Sequence, residues 1–159
     1  MSAIDFQFNY KRSITIDRLT QRPILDAASG TPLEVFHPFI PCVISSEKRR
    51  SRSTEGFLDS GSDGVVIPRT LAEYLELDLE SASEPMMVAD GRNMERFVSK
   101  IMLTIGRGGR YSDPIEVEAS VPAKGNPPVL IGREPVFRLH TITFVEAEKR
   151  LEMNPYRKV

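Results

Sequence analysis

The sequence lacks several residue types that mark particular classes of protein. In 159 residues it has no tryptophan, one cysteine (Cys42) and two histidines (His37 and His140). A single cysteine excludes an intramolecular disulfide framework. So few histidine and cysteine ligands also argue against a zinc site.

Long apolar runs and a surplus of basic charge are missing as well. No stretch approaches the ~18 apolar residues of a membrane-spanning helix, and residues 1–11 contain no apolar signal segment. Lys and Arg total 21 against 22 Asp and Glu, for a net charge of −1, whereas a nucleic-acid binder is normally basic. The basic segment 45–54 is typical of a solvated hairpin loop. We expect a cytoplasmic protein with no membrane and no nucleic-acid partner.

The residues that are present predict one mostly β-stranded domain. The chain has the length of one domain, and 40% of it is hydrophobic, as in ordinary globular proteins. Apolar residues alternate with polar ones over 4–10, 97–105 and 115–121, which is typical of half-buried strands. Segments 39–45 and 139–145 are rich in β-branched and aromatic residues, which also favours strands.

Two short segments predict helix instead. Between Pro68 and Leu77, the residues Leu71, Tyr74 and Leu75 fall at helical spacing, and proline is well suited to a helix start. A second helical turn is expected over 134–138. We see no internal repeat in the sequence.

The segment Gly56–Pro68 contains an acidic residue where a charge is unexpected. Asp59 follows the apolar Phe57 and Leu58 and precedes the apolar run Val65–Ile67. Removing a carboxylate from water is costly unless it is paired or hydrogen-bonded. Asp59 is therefore our first candidate for a functional residue.

The residue types of Asp59-Ser60-Gly61 alone allow three interpretations. A tight turn favours all three residue types. A calcium loop would need an oxygen ligand where Gly61 stands and a glutamate where Thr70 stands. A serine nucleophile at Ser60 lacks the glycine two residues earlier that completes a nucleophile elbow. Taken alone, the motif favours the turn.

The surrounding sequence resembles the retropepsin-like (retroviral-type) aspartic proteases. Leu58–Gly61 is followed by the apolar run Val65–Ile67, and a second family hallmark stands about 70 residues later at Val129–Arg133. Between the two, Met87–Arg92 contains an Asp-Gly pair typical of a hairpin turn. Two positions depart from the family pattern: Ser60 replaces a commoner threonine, and Glu134 a commoner aspartate or asparagine.

This resemblance implies a fold and a division of the chain. The fold would be an all-β retropepsin-like acid-protease barrel with a flap hairpin. One short helix would follow the active-site loop, and another would lie near the C-terminus. The protease domain would occupy residues 36–159. Residues 1–35 would form an N-terminal extension, either an added strand pair or a dimerisation arm.

The resemblance also implies a homodimeric aspartic endopeptidase. Such enzymes place two aspartates around one water, and because like charges about 3 Å apart cannot both ionise, the pair shares one proton. This chain has a single Asp-Ser-Gly, so a second copy must supply the second aspartate. The substrate would be a peptide or protein, with no metal or other cofactor.

By the same resemblance, individual residues acquire roles. Asp59 would be the catalytic carboxylate, and Ser60 and Gly61 would form its loop. Asp63 and Arg133 would pair and brace that loop near the dimer interface. The substrate-binding flap would end in four residues: Ala89, Asp90, Gly91 and Arg92.

Two alternatives remain open at this point. A retropepsin-like dimer can bind a peptide or partner protein without cleaving it, since fold does not imply activity. An unrelated β-barrel would explain the Asp-Ser-Gly segment as an ordinary turn.

Overall fold

A computed structural model describes residues 4–79, 83–87 and 90–157. Its strands are β1 (Phe6–Asn9), β2 (Lys11–Ile14), β3 (Glu34–His37), β4 (Phe39–Ser45), β5 (Thr54–Leu58), β6 (Val65–Val66), β7 (Ser83–Met87), β8 (Asn93–Arg107), β9 (Arg110–Tyr111), β10 (Ile115–Pro122), β11 (Val129–Ile131), β12 (His140–Val145) and β13 (Arg150–Pro155). The helical elements are α1 (Arg69–Tyr74), a short segment at Arg133–Phe137 and a single turn at Glu146–Glu148.

Six strands close into a barrel. The ring runs β4, β5, β11, β6, β10 and β8, and β8 pairs again with β4. The pairs β5–β11 and β6–β10 are parallel, and the other four are antiparallel. Closure leaves no exposed edge within this ring. The predicted all-β barrel is confirmed.

The period-two pattern of the sequence decides which side chains fill the barrel. Neighbouring residues of a strand point to opposite faces, so every second residue can be buried. The alternating buried residues of β4, β8 and β10 are Ile40, Cys42, Ile44, Ile101, Leu103, Ile105, Val117, Ala119 and Val121. Val43 and Ser120, on the opposite faces of β4 and β10, are buried as well. Burial, together with the charge of Glu55, raises the pKa of the Cys42 thiol to about 12.

Helix α1 is shorter than predicted. Pro68 stands at its N-terminal cap as expected, but the helix ends at Tyr74, and Glu76 has a φ of 55°, which a continuing right-handed helix does not allow. The predicted turn over 134–138 lies in the segment Arg133–Phe137, interrupted at Glu134 by an extended backbone. Among the described residues, no helix has the length and apolar character needed to cross a bilayer.

The loops at 107–110 and 45–54 differ in how far they are solvated. At Arg107–Arg110 a two-residue turn joins β8 to β9, and Gly108 and Gly109 both have positive φ, as a tight hairpin requires. The basic loop between β4 and β5 is only partly solvated. Ser51 is buried, and its Oγ accepts a 2.9 Å hydrogen bond from the amide of Ile44.

A separate sheet joins the two ends of the chain. The strands lie in the order β1, β13, β12, and Phe6, Leu151 and Met153 are buried beneath them. The Tyr10 hydroxyl donates a 2.8 Å hydrogen bond to Oε1 of Glu146. Burial and this acceptor raise the pKa of Tyr10 to about 12.

Residues 11–37, the N-terminal arm, form an antiparallel strand pair with two turns between the strands. The strands are β2 and β3, in the register Lys11↔His37 to Ile14↔Glu34. The predicted domain boundary between residues 35 and 36 therefore falls inside β3. The division of the chain into extension and protease domain stays a prediction.

The two turns of the arm repeat the same hydrogen bonds nine residues apart. Asp17 Oδ1 accepts hydrogen bonds from the amides of residues 19 and 20 and from the Thr20 hydroxyl. Asp26 Oδ1 accepts the same three from residues 28 and 29, with Ser29 supplying the hydroxyl. Gln21 and Gly30, at matching positions, both have positive φ.

Three equivalent residues close this repeat into a triangle. The amide of Thr15 donates to the carbonyl of Leu33, Leu33 donates to Ile24, and Ile24 donates back to Thr15, at 2.7–3.0 Å. The expectation of no internal repeat is wrong at this short length scale. The units share only their aspartates, prolines and equivalent hydroxyls, so the sequence signal is faint.

Candidate active site

Asp59 stands at the carboxyl end of a central barrel strand. β5 lies between β4 and β11 and ends at Leu58. The Asp59 amide donates a 3.0 Å hydrogen bond to the carbonyl of Ile131, which extends the parallel β5–β11 pairing into the loop. This places a half-buried carboxylate at the mouth of the barrel on a fixed backbone.

One oxygen of the Asp59 carboxylate is held by its own loop. Oδ1 accepts a 2.9 Å hydrogen bond from the Gly61 amide. A β-carbon added to Gly61 would lie 3.2 Å from the same oxygen, so a larger residue would press on the carboxylate. Within the described part of the chain, the second oxygen accepts no hydrogen bond. It is therefore available to a water or another ligand.

The loop 59–64 is fastened to the chain that follows β11. The amides of Gly132, Arg133 and Glu134 donate in turn to the carbonyls of residues 64, 62 and 63, at 2.7–3.0 Å. These are main-chain contacts, so no side-chain donor or acceptor is needed to hold the loop. The two segments that the sequence separates by about 70 residues thus form one unit.

Gly132 permits this close approach. A β-carbon at this position would lie 2.3 Å from the carbonyl oxygen of Gly64 and 2.4 Å from that of Ser62. Both are backbone atoms that cannot rotate away. The glycine of the Val129–Arg133 segment therefore has a steric reason to be there.

Asp63 and Arg133 form an ion pair across the same junction. Their side chains are 88% and 59% exposed, so in a single subunit this is a surface pair. Surface pairs contribute about 0–1 kcal/mol to folding. If this pair braces the Asp59 loop, we therefore expect it to do so in a dimer, where a second chain would bury the two side chains.

The predicted flap lies on the hairpin formed by β7 and β8. The pairing of these strands ends at Met87↔Asn93, so residues 90–92 lie in the connection between them. Asp90 accepts hydrogen bonds from the side chain and amide of Arg92, which lower the pKa of its carboxyl group. Ala89 lies outside the described residues.

A groove of about 510 Å³ separates the Asp59 loop from this hairpin. Gly61 and Asp63 line one wall, Met86 and Met87 line the other, and Ser120 of β10 lies between them. In this single subunit neither Asp59 itself nor the predicted flap residues Asp90, Gly91 and Arg92 line the groove. The assignment of these flap residues to substrate binding stays a prediction. Of the two β7 methionines that line the groove, Met87 belongs to the segment that the sequence analysis singled out, and Met86 does not.

Comparison with solved structures identifies the fold. A retropepsin-like aspartic protease from Rickettsia conorii matches 98% of this chain and 95% of its own, with a TM-score of 0.51 and 12% identity. The EIAV protease complexed with the inhibitor HBY-793 covers 65% of this chain and 88% of its own, with a TM-score of 0.47 and 21% identity. The retroviral protease-like domain of Ddi1 from Leishmania major covers 77% and 94%, with a TM-score of 0.44 and 15% identity.

No protein-family model matches the sequence, and no curated protein matches it significantly. The first of the three structures shows that this chain has the retropepsin-like fold.

Proposed function

We propose that the protein is an aspartic endopeptidase that acts as a homodimer. The observation that carries this proposal is the position of Asp59, held by the backbone at the barrel mouth with one carboxylate oxygen open to a ligand. The groove beside Asp63 and Met86 offers room for an extended peptide. The retropepsin-like fold of the chain agrees with this assignment.

The reaction requires one Asp59 from each subunit. One carboxylate is ionised and takes a proton from the bound water, and the water oxygen attacks the peptide carbonyl carbon. The other, protonated, donates a hydrogen bond to the carbonyl oxygen. The tetrahedral intermediate then collapses, the C–N bond breaks, and the amine leaves with a proton from a carboxyl group. The products are a carboxylic acid and an amine, and nothing is oxidised or reduced.

The test is the substitution Asp59→Asn, which keeps the shape of the side chain and removes the ionisable group. We expect peptide hydrolysis by the purified protein to fall at least a hundredfold, with the circular dichroism spectrum and sedimentation coefficient unchanged. Asp113→Asn, an exposed carboxylate in the loop before β10, is the matched control and keeps wild-type activity.

Each result decides between the candidate functions. Hydrolysis that survives in the Asp59→Asn protein would remove Asp59 from catalysis. A wild-type dimer that binds peptides and cleaves none would be the non-catalytic peptide-binding module instead.

A further inference from the structure

The N-terminal arm exposes an unusual share of the large apolar side chains of this protein. Leu19 is 95% exposed and Leu25 58%. Five further side chains on the same short segment are also exposed: Ile14, Ile16, Ile24, Leu33 and Phe36. Single exposed apolar residues are ordinary, but a concentration of them on one element marks an interaction surface.

The centre of the arm is closed by its own main-chain hydrogen bonds. Those made by residues 14–33 all stay within the arm, and the triangle of Thr15, Ile24 and Leu33 lies at its centre. The apolar side chains around this centre remain exposed to solvent, and a packed contact with another protein surface would bury them.

The base of the arm lies beside the Asp59 loop. His37, its last residue, is followed by Pro38, whose carbonyl accepts a 3.0 Å hydrogen bond from the amide of Leu58. The His37 ring lies 6.0 Å from that of Phe57, centroid to centroid. Lys11, at the other strand of the base, forms an ion pair with Glu55 of β5. The arm therefore rises from the strand that ends at Asp59.

Because of this position, we expect a second copy of the chain to cover the exposed side chains of the arm. If two Asp59 loops meet at a two-fold axis, both arms have their bases close to that axis. A two-fold interface uses the same patch on both partners.

We propose that the apolar side chains of the arm, with Leu19 and Leu25 among them, pack against the second subunit and hold the dimer together. This inference rests on the proposed function, because the requirement for two Asp59 residues is what brings the second copy to this end of the barrel. It adds a named surface outside the Asp59 loop.

Sedimentation of the full chain tests the proposal. The double substitution Leu19→Ser with Leu25→Ser removes no buried core, and we expect it to raise the dimer dissociation constant at least tenfold. Tyr74→Ser is the matched control, because Tyr74 is a 48% exposed apolar residue on α1, and we expect a change below twofold.

Hydrogen exchange of the wild-type protein supplies a measurement that needs no variant. Amides of residues 14–33 should be better protected at concentrations where the dimer forms than in the dilute monomer. An unchanged dissociation constant in the double variant, or arm amides that exchange alike at both concentrations, would overturn the proposal.

The same experiments separate this proposal from the proposed function. A dimer that persists in the double variant and cleaves peptides refutes the arm contact and leaves the peptidase standing. A dimer that depends on Leu19 and Leu25 yet cleaves no peptide supports the arm contact and refutes the peptidase. A wild-type protein that remains monomeric at all concentrations refutes both the arm contact and the homodimeric mechanism.

Discussion

At the scale of single residues, the site depends on atoms that are absent as much as on side chains that are present. Asp59 supplies the carboxylate, but the missing β-carbon of Gly132 allows the loop that carries Asp59 to lie against the segment after β11. Asp59 can be found from its residue type and its sequence motif. The need for glycine at position 132 is explained only by the close packing of the two segments.

We therefore expect Gly132→Ala to destabilise the fold by about 1–3 kcal/mol, the usual cost of overpacking a close contact. The added carbon would collide with the backbone oxygens of Ser62 and Gly64. Urea denaturation measures the effect. Gly64→Ala is the matched control in the same loop, since nothing lies within 4 Å of its added carbon. Equal stability of the two variants would contradict the steric argument.

The ion pair between Asp63 and Arg133 gives a second residue-scale prediction. Because both side chains are exposed, Asp63→Ala should change the unfolding free energy of the isolated subunit by less than ~1 kcal/mol. If the pair braces a dimer, the same substitution should weaken dimerisation measured by sedimentation. Lys100→Ala, which breaks the exposed pair with Glu116, serves as control. A large loss of subunit stability combined with an unchanged dimer would refute the bracing role.

At the scale of elements, the sequence predicts the barrel far better than the arm. The alternation at Val117, Ala119 and Val121 predicts one buried face of a strand, and all three side chains are buried, although Ser120 between the last two is buried as well. The arm carries no such signal, because its side chains are mostly exposed. Its order comes from two aspartates that accept main-chain hydrogen bonds, and Asp17 and Asp26 resemble ordinary turn residues in a sequence.

The candidate site divides in the same way. Asp59, Gly61 and Arg133 were found because their residue types and spacing resemble those of a known family, and the structure brings them together. Met86 was not predicted, whereas Met87 stands in the segment singled out for its Asp-Gly pair. A methionine on a strand is more often part of a core, and the sequence does not show that β7 lines the same groove as the Asp59 loop.

The turns of the arm should respond to acid. Hydrogen bonds from the amide and then the hydroxyl of Thr20 lower the pKa of Asp17, and those of Ser29 do the same for Asp26. Since the folded turn favours the ionised carboxylate, its stabilisation is complete above the ordinary aspartate pKa and disappears as pH falls through the lowered value.

Asp17→Ala or Asp26→Ala should therefore mimic strong acid at neutral pH. We expect the amides of residues 20 and 29, respectively, to exchange roughly two- to tenfold faster, as loss of a hydrogen bond implies. Asp113→Ala is the control. Exchange at residue 20 that neither Asp17→Ala nor strong acid changes would show that the aspartate does not hold the turn.

At the scale of the whole molecule, one chain holds half of the proposed machinery. Specific activity should fall on dilution through the dimer-to-monomer transition measured by sedimentation. Activity should also follow a bell-shaped pH profile below neutrality, because one Asp59 must be ionised while the other keeps the shared proton. Specific activity that stays constant through dissociation would mean that one chain suffices, which the proposed mechanism does not allow.

The triangle of Thr15, Ile24 and Leu33 has a consequence for how this gene can change. An in-frame deletion of one nine-residue unit removes one of the three residues, so the triangle of hydrogen bonds cannot close. An in-frame insertion of a unit adds a fourth residue, for which the triangle has no place. Codon changes that keep Asp17, Asp26 and the residues at positive φ leave every corner in place. Surface segments usually tolerate insertions and deletions well. Outside these residues and the apolar side chains proposed to contact the second subunit, this segment should vary in sequence while its length stays fixed.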